Sequence, residues 1–246
     1  MRQLPLAVGL REPLDFDHFV AGDNAAALAA VRRAADALEP PLLLLGAAGT
    51  GKSHLLQAAA AVARADGRGA VYLPLGDCLD QCPPALLEGA GDTLLCIDEL
   101  EHATGHRNWQ LTLIRSLDAW RGRGVLVAAR GLPAGLLPDL RTRLTAGARF
   151  VLQPLGESHL IEALKSRAAA RGLELSDEVA RFLLHRLPRR VAALLAALDA
   201  LDTASLSAQR RLTVPFVAQV LGEGSRLATT GRGDHERPVR DGRAGA

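Results

Sequence analysis

Eight residues, Gly46-Ala47-Ala48-Gly49-Thr50-Gly51-Lys52-Ser53, carry the spacing G-x-x-x-x-G-K-S that cradles nucleotide phosphates. Their glycines allow a tight turn whose N–H groups converge on phosphate oxygens, and a helix starting there adds the positive end of its dipole. Lys52 would neutralise the outer phosphates, and the Ser53 hydroxyl would ligate Mg²⁺. Lys52 and Lys165 are the chain's two lysines among 29 lysines and arginines, so the choice of lysine here is chemical. A compact ammonium fits between phosphates where a planar guanidinium does not.

A second group of acids stands at Thr93-Leu94-Leu95-Cys96-Ile97-Asp98-Glu99, four apolar residues ending in two carboxylates. This is the pattern of a buried parallel strand whose C-terminal end faces a site. Asp98 would hold Mg²⁺ through water, and Glu99 could orient an attacking water. An acidic turn after a buried strand is common by itself; with the phosphate loop expected on a neighbouring strand, it reads as a catalytic pair.

Other reactive residues carry less. Cys78, Cys82 and Cys96 form no even disulfide framework, which fits a reducing compartment, and no nearby ligands complete a zinc set around Cys78 and Cys82. Arg141 and Arg143 lie in a short segment expected to be helical, on an otherwise apolar face; the residues alone favour solvated surface arginines. At the start, Gln3-Leu4-Pro5-Leu6 sets an amide before two leucines around a rigid proline, a peptide able to seat two side chains in a groove. Pattern alone favours a frayed terminus there.

The elements that must position these groups follow from periodicity and punctuation. Residues 1–15 read as an extended arm, with prolines at 5 and 13. An alanine-rich helix over 25–38, capped by Asp23 or Asn24, ends at Pro40-Pro41. Strands are expected at Leu42–Leu45, Ala70–Leu73 (short and buried), Thr93–Ile97, Gly124–Ala129 and Ala148–Leu152, with helices between them. Such alternation predicts an α/β unit over 16–154, a five-stranded parallel sheet with helices on both faces. Past Pro154 the pattern is helical only, which predicts a small all-α lid over 155–222, and 223–246 reads as a disordered polar tail.

Composition bounds the function. With 48% hydrophobic residues but 3% aromatics, 246 residues can bury an aliphatic core. A formal charge of +2 argues against a broad nucleic-acid-binding surface. The start lacks the apolar core of a signal peptide, and no run of about 18 apolar residues occurs, so a cytoplasmic protein away from membranes is expected.

Phosphate loop, acidic strand end, late arginine and helical lid, in that order, resemble an AAA+ ATPase. Phe16-Asp17-His18-Phe19-Val20-Ala21-Gly22 resembles the segment that lies against adenine in the bacterial replication initiator DnaA. Gln3-Leu4-Pro5-Leu6 is similar to the peptide that binds the DNA polymerase sliding clamp, and with the close Ala208-Gln209-Arg210-Arg211-Leu212-Thr213-Val214-Pro215-Phe216-Val217 it resembles the Hda family of DnaA-related regulators. That likeness reverses the bland reading of the N-terminus.

The resemblance implies a set of roles. Phe19, Val20, Gly46, Ala48, Gly49, Thr50, Gly51, Lys52, Ser53, His54 and Asp98 would hold ADP or ATP, with Mg²⁺ on Ser53 and Asp98. Arg143 would be an arginine finger acting in trans, with Arg141 the alternative if the alignment slips by two, and Glu99 would be the catalytic residue that orients the attacking water. Gln3, Leu4 and Leu6 would bind the clamp, DnaA would be the second partner, and DNA would be met only through the clamp. The stretch after the lid is shorter than the helix-turn-helix domain with which such an initiator reads DNA.

Two positions depart from the family. The polar residue expected after the fourth strand is replaced within Val127-Ala128-Ala129-Arg130, and the lid arginine falls at Ala192, with Arg190 the nearest substitute. Holding a nucleotide is therefore expected rather than fast turnover. A self-sufficient AAA+ ATPase such as a helicase loader is the enzymatic alternative, a DNA-binding adaptor the weaker one, and self-association stays open.

Overall fold

The computed structural model describes residues 15–36, 41–79, 93–119, 123–189 and 191–230. The clamp peptide Gln3-Leu4-Pro5-Leu6, Cys82, Trp120, Arg190 and the tail from 231 lie outside them.

Strand β1 (Leu42–Leu45) is four leucines, all buried, as a strand covered on both faces requires. It pairs in parallel with β4 (Val125–Ala129) on one side and β5 (Arg149–Val151) on the other. Strand β3 (Thr93–Asp98) pairs with β4 and with β2 (Gly69–Pro74), and the five-stranded order is β2-β3-β4-β1-β5. The expected sheet is present, with a first correction: β4 lies between β1 and β3, so the phosphate loop and Asp98 do not stand on neighbouring strands. A second correction concerns β2, where only Leu73 is fully buried, because β2 is an edge strand.

Alternate residues send their side chains to opposite faces. Leu42, Leu44, Cys96, Leu126 and Ala128 pack against helices α1 (Ala25–Asp36) and α2 (Lys52–Ala65). Leu43, Leu45, Ile97, Val127 and Ala129 pack on the other face against α4 (Arg107–Ala119) and α5 (Pro138–Thr145). The short α3 (Leu75–Cys78) follows β2 on this second face. In α5 the core side is Leu140 and Leu144, while Arg141 is exposed and Arg143 only partly covered, so the arginines do not share the apolar face expected for them.

After β5, Gln153 and Pro154 lead into α6 (Glu157–Ala170), α7 (Asp177–Arg186), α8 (Val191–Ala208) and α9 (Val214–Thr230). Ser176 caps α7 by accepting the Val179 N–H at 3.3 Å. These helices close on their own core, including Leu160, Leu164, Leu183, Leu198, Phe216 and Val217, separate from the two sheet cores. Helix α9 runs past residue 222 to Thr230, where the sequence reading has a disordered tail. Its Leu221-Gly222-Glu223-Gly224 stretch is a poor helix former by propensity, and the helix nonetheless continues through it. Among the described residues no helix is long and apolar enough to cross a membrane.

Candidate nucleotide site

A cavity of about 320 Å³ opens where three segments meet. The loop after β1 supplies Gly49, Thr50, Gly51, Lys52 and Ser53, with His54 behind them; the linker before α1 supplies Phe19 and Val20; the lid supplies Ala163, Arg167 and Leu195. Most of the nucleotide-binding residues expected from sequence are thus brought together, whereas Gly46, Ala48 and Asp98 stand outside this lining. A larger cleft of about 690 Å³ lies within the lid between α6, α7 and the approach to α9, and none of the expected site residues line it.

The loop conformation depends on glycine where backbone and neighbours leave no room. Gly51 caps α2 in the left-handed region at φ 95°, and a Cβ there would meet the Phe19 ring at 2.7 Å. Gly46 (φ 150°) would bring a Cβ to 2.7 Å from the Leu152 carbonyl. Lys52, the first residue of α2, is 8% exposed and donates to the Gly46 and Ala47 carbonyls at 2.7 and 2.8 Å. Thr50 Oγ1 also donates to Ala47 O, at 2.9 Å. Burial pushes the Lys52 ammonium below its ordinary pKa, against the fields of Asp98 and Glu101. A phosphate arriving here would exchange carbonyl dipoles for full negative charge, which favours the ammonium form.

The linker wall is tied to the loop helix through His54. Its Nε2 lies 2.7 Å from the Asp15 carbonyl, which only accepts, so Nε2 carries the proton. Its ring meets Phe19 edge to face with centroids 5.5 Å apart. Burial pushes the His54 pKa below the ordinary imidazole value, with the Asp15 hydrogen bond opposing and the Arg167 charge reinforcing the shift. The linker is further held by Asn24, whose amide donates to Gln153 O at 3.0 Å and accepts from Gln153 N at 2.7 Å. Asn24 therefore fastens the linker to the hinge before the lid; its side chain serves this tie rather than the expected helix cap.

Asp98 is 2% exposed, at the end of β3. Its Oδ2 accepts from the Tyr72 hydroxyl at 2.7 Å and its Oδ1 from the Glu99 N–H at 2.9 Å. Tyr72 in turn accepts from Gln57 Nε2 at 3.1 Å, linking α2, β2 and β3. Burial and the Asp98 hydrogen bond both push the Tyr72 phenol above its ordinary pKa, so it stays a donor. Glu99 has φ 56°, and a Cβ on Gly76 would meet its Oε2 at 2.5 Å, while its charge still acts on Lys52. Its carboxylate thus lies beside Gly76, in the short helix α3 that follows β2.

At the end of β4, Ala128 and Ala129 are buried and present no polar side chain. Arg130 follows, its Nε 3.1 Å from Glu101 Oε1 and its N–H donated to Glu101 Oε2 at 3.2 Å. Charges of this pair act on Lys52, so the departure seen in sequence is an ion pair beside the site.

Arg143 is elsewhere. It belongs to α5 on the sheet face opposite α2, is absent from the cavity lining, and makes a two-pronged ion pair with Asp118 on α4 (Nε to Oδ1 3.0 Å, one terminal nitrogen to Oδ2 2.9 Å). That hydrogen-bonded partner raises its pKa further above the ordinary range. Arg141 instead donates to the Pro133 carbonyl at 3.1 Å.

Sequence reasoning missed Tyr72, Arg167 and the Arg130–Glu101 pair. The alternation of β2 placed Tyr72 on a strand but not against Asp98. Arg167, 4% exposed in an otherwise amphipathic helix, is a charge on a buried face, a signal visible only once the lid is docked.

Likeness to known proteins bears on this arrangement. The family model of the Hda lid domain matches residues 157–221, and that of the bacterial DnaA ATPase domain matches residues 10–74. Domain III of the Thermotoga maritima replication initiation protein DnaA superposes with a TM-score of 0.74 at 21% identity, covering 85% of this chain and 96% of that one. AMPPCP-bound DnaA from Aquifex aeolicus gives 0.64 at 22% identity over 75% of this chain and 63% of its own. The Thermotoga maritima RuvB Holliday junction branch migration motor gives 0.61 at 18%, over 85% and 72%.

Proposed function

Since this chain is an Hda-like, DnaA-related AAA+ protein, we propose that it holds an adenine nucleotide and promotes hydrolysis of ATP bound to the initiator DnaA. One observation carries the reading. Arg143 stands on the face opposite α2 and away from the chain's own cavity, so its guanidinium can meet a phosphate only on another molecule. Delivered in trans, such a guanidinium stabilises charge on the transferring phosphoryl group and raises hydrolysis about 10³- to 10⁵-fold. The outcome is an initiator in its ADP form, a negative control on replication initiation.

The chain's own site supports binding more than turnover. Glu99 lies over Gly76, the β4 end offers buried alanines, and residue 192 of α8 is alanine. ADP or ATP would sit with its phosphates at Lys52 and Ser53 and its base between Phe19, Val20 and the lid. It would thereby set the angle of the lid and the surface offered to a partner. Mg²⁺ carried in by a nucleotide would be held by the Ser53 hydroxyl and, through water, by Asp98; among the described residues no cluster of three acidic, histidine or cysteine ligands exists to hold it without the nucleotide. Gln3, Leu4 and Leu6 would attach the protein to the DNA-loaded sliding clamp, so that DNA is met through the clamp.

The test is ATP hydrolysis by the initiator in the presence of clamp, DNA and this protein. Arg143→Ala is expected to abolish stimulation while retaining clamp binding, and Gln3→Ala to lose the clamp in a pull-down. Undiminished stimulation by Arg143→Ala would sink the finger assignment. Robust hydrolysis by the purified protein alone, abolished by Glu99→Gln, would favour a self-sufficient ATPase instead.

A further inference from the structure

The guanidinium that the proposed function sends to a partner is held within its own chain, through all three of its nitrogens. Nε and one terminal nitrogen of Arg143 grip the two oxygens of Asp118 at 3.0 and 2.9 Å, and the other terminal nitrogen donates to the Asp139 carbonyl at 3.2 Å. Both edges of the planar fork are therefore in use. The edge given to Asp118 is the one that matches a carboxylate or phosphate in two parallel hydrogen bonds.

Two features indicate that this pair is built for the arginine. Asp118 occupies the last turn of α4, where the negative end of the helix dipole disfavours a carboxylate. The dipole of α4 thus works against Asp118, and Arg143 is a partner that offsets it. The two helices are held side by side by Leu113, Leu117, Leu140 and Leu144 in one core cluster, so the carboxylate meets the fork without either helix moving. The pair is also exchangeable, since its side chains remain 30% and 38% exposed and exposed pairs are weak.

We infer that Asp118 parks Arg143, so that engaging a partner's phosphoryl group requires the guanidinium to exchange one anion for the other. This rests on the reading of Arg143 as a finger, and it adds the restraint that keeps the finger folded against its own chain. A parked fraction lowers apparent potency by the fraction of molecules with the arginine free.

The experiment has an arm without a partner and an arm with one, both using the full chain. Labelling of Arg143 by phenylglyoxal, followed by mass spectrometry, is expected to run about two- to five-fold faster in Asp118→Asn, the range an exposed pair supports. Asp118→Glu keeps the charge and should label close to the starting rate. Stimulation of ATP hydrolysis by the initiator on clamp-loaded DNA, at subsaturating protein, should rise by a similar factor in Asp118→Asn and stay near the starting value in Asp118→Glu. Thermal midpoints report whether each variant folds, with Asp118→Ser standing in if the asparagine form does not. Unchanged labelling, or stimulation at or below the starting level while Arg143 remains essential, overturns the parking. If Arg143→Ala itself leaves stimulation intact, the finger reading falls and the parking with it.

Discussion

His54 shows how much one side chain in the cavity wall depends on its surroundings. Because Nε2–H is donated to Asp15 O and the ring is packed on Phe19, the neutral form suits the folded state, and burial holds the pKa below the ordinary imidazole value. The folded chain then binds fewer protons near this group than the unfolded chain does. Its contribution to stability is complete above about pH 6.5, the ordinary value, and is lost as pH falls toward the folded-state pKa. Denaturant titrations at pH 7.5 and 5.5 should therefore show a smaller loss of stability in His54→Gln than in the parent chain. An equal loss in both would remove His54 as the cause. The residues of the phosphate loop were legible beforehand because their geometry is local. The partners of His54 were not, since Asp15 lies 39 positions away.

Among elements, the linker before α1 is the part whose role changed most. Its sequence reads as a helix approach with a capping asparagine, yet Asn24 reaches 129 positions along the chain to hold both backbone groups of Gln153. The same linker carries Phe19 and Val20 into the cavity, and Gly22 passes so close to α6 that a Cβ would meet His159 at 3.1 Å. Linker, hinge and lid are thus coupled through one amide. Asn24→Ala removes two hydrogen bonds and strands two backbone groups, a loss of about 2–4 kcal/mol where they stay dry. A lower denaturant midpoint and weaker binding of a fluorescent adenine nucleotide are the expected readings. No change in either would mean that Phe16 packing alone holds the linker. Helix ends in the lid were legible from Gly172 and Pro188, each a local stop signal, whereas the Ser176 cap of α7 emerged only from the structure.

For the molecule as a whole, the cavity is the seam between a sheet unit and a helical unit that each have their own core. A ligand in the seam touches loop, linker and lid together and so stabilises all three. At 100 times its dissociation constant, a ligand bound only by the folded chain contributes about 2.7 kcal/mol, which for a chain of this size raises the thermal midpoint by about 5–10 °C. ADP or ATP with Mg²⁺ should produce such a shift, and Lys52→Ala should abolish it. A shift that survives Lys52→Ala would place the nucleotide elsewhere.

The sequence alone determined what short-range patterns encode. The Gly46–Ser53 spacing, the leucine run of β1, the acids closing β3 and the change from alternating elements to helices after Pro154 were enough to indicate a parallel sheet with a phosphate loop and a helical lid, an order that resembles an AAA+ ATPase. Tertiary structure decided what depends on strand order and docking: that β4 separates the phosphate loop from Asp98, that Tyr72 holds Asp98, that Glu99 turns toward Gly76, and that Asp118 grips Arg143. The reason is physical. A turn or an amphipathic face is set by residues a few positions apart, whereas these pairings join elements whose meeting is fixed only when the sheet cores close around them.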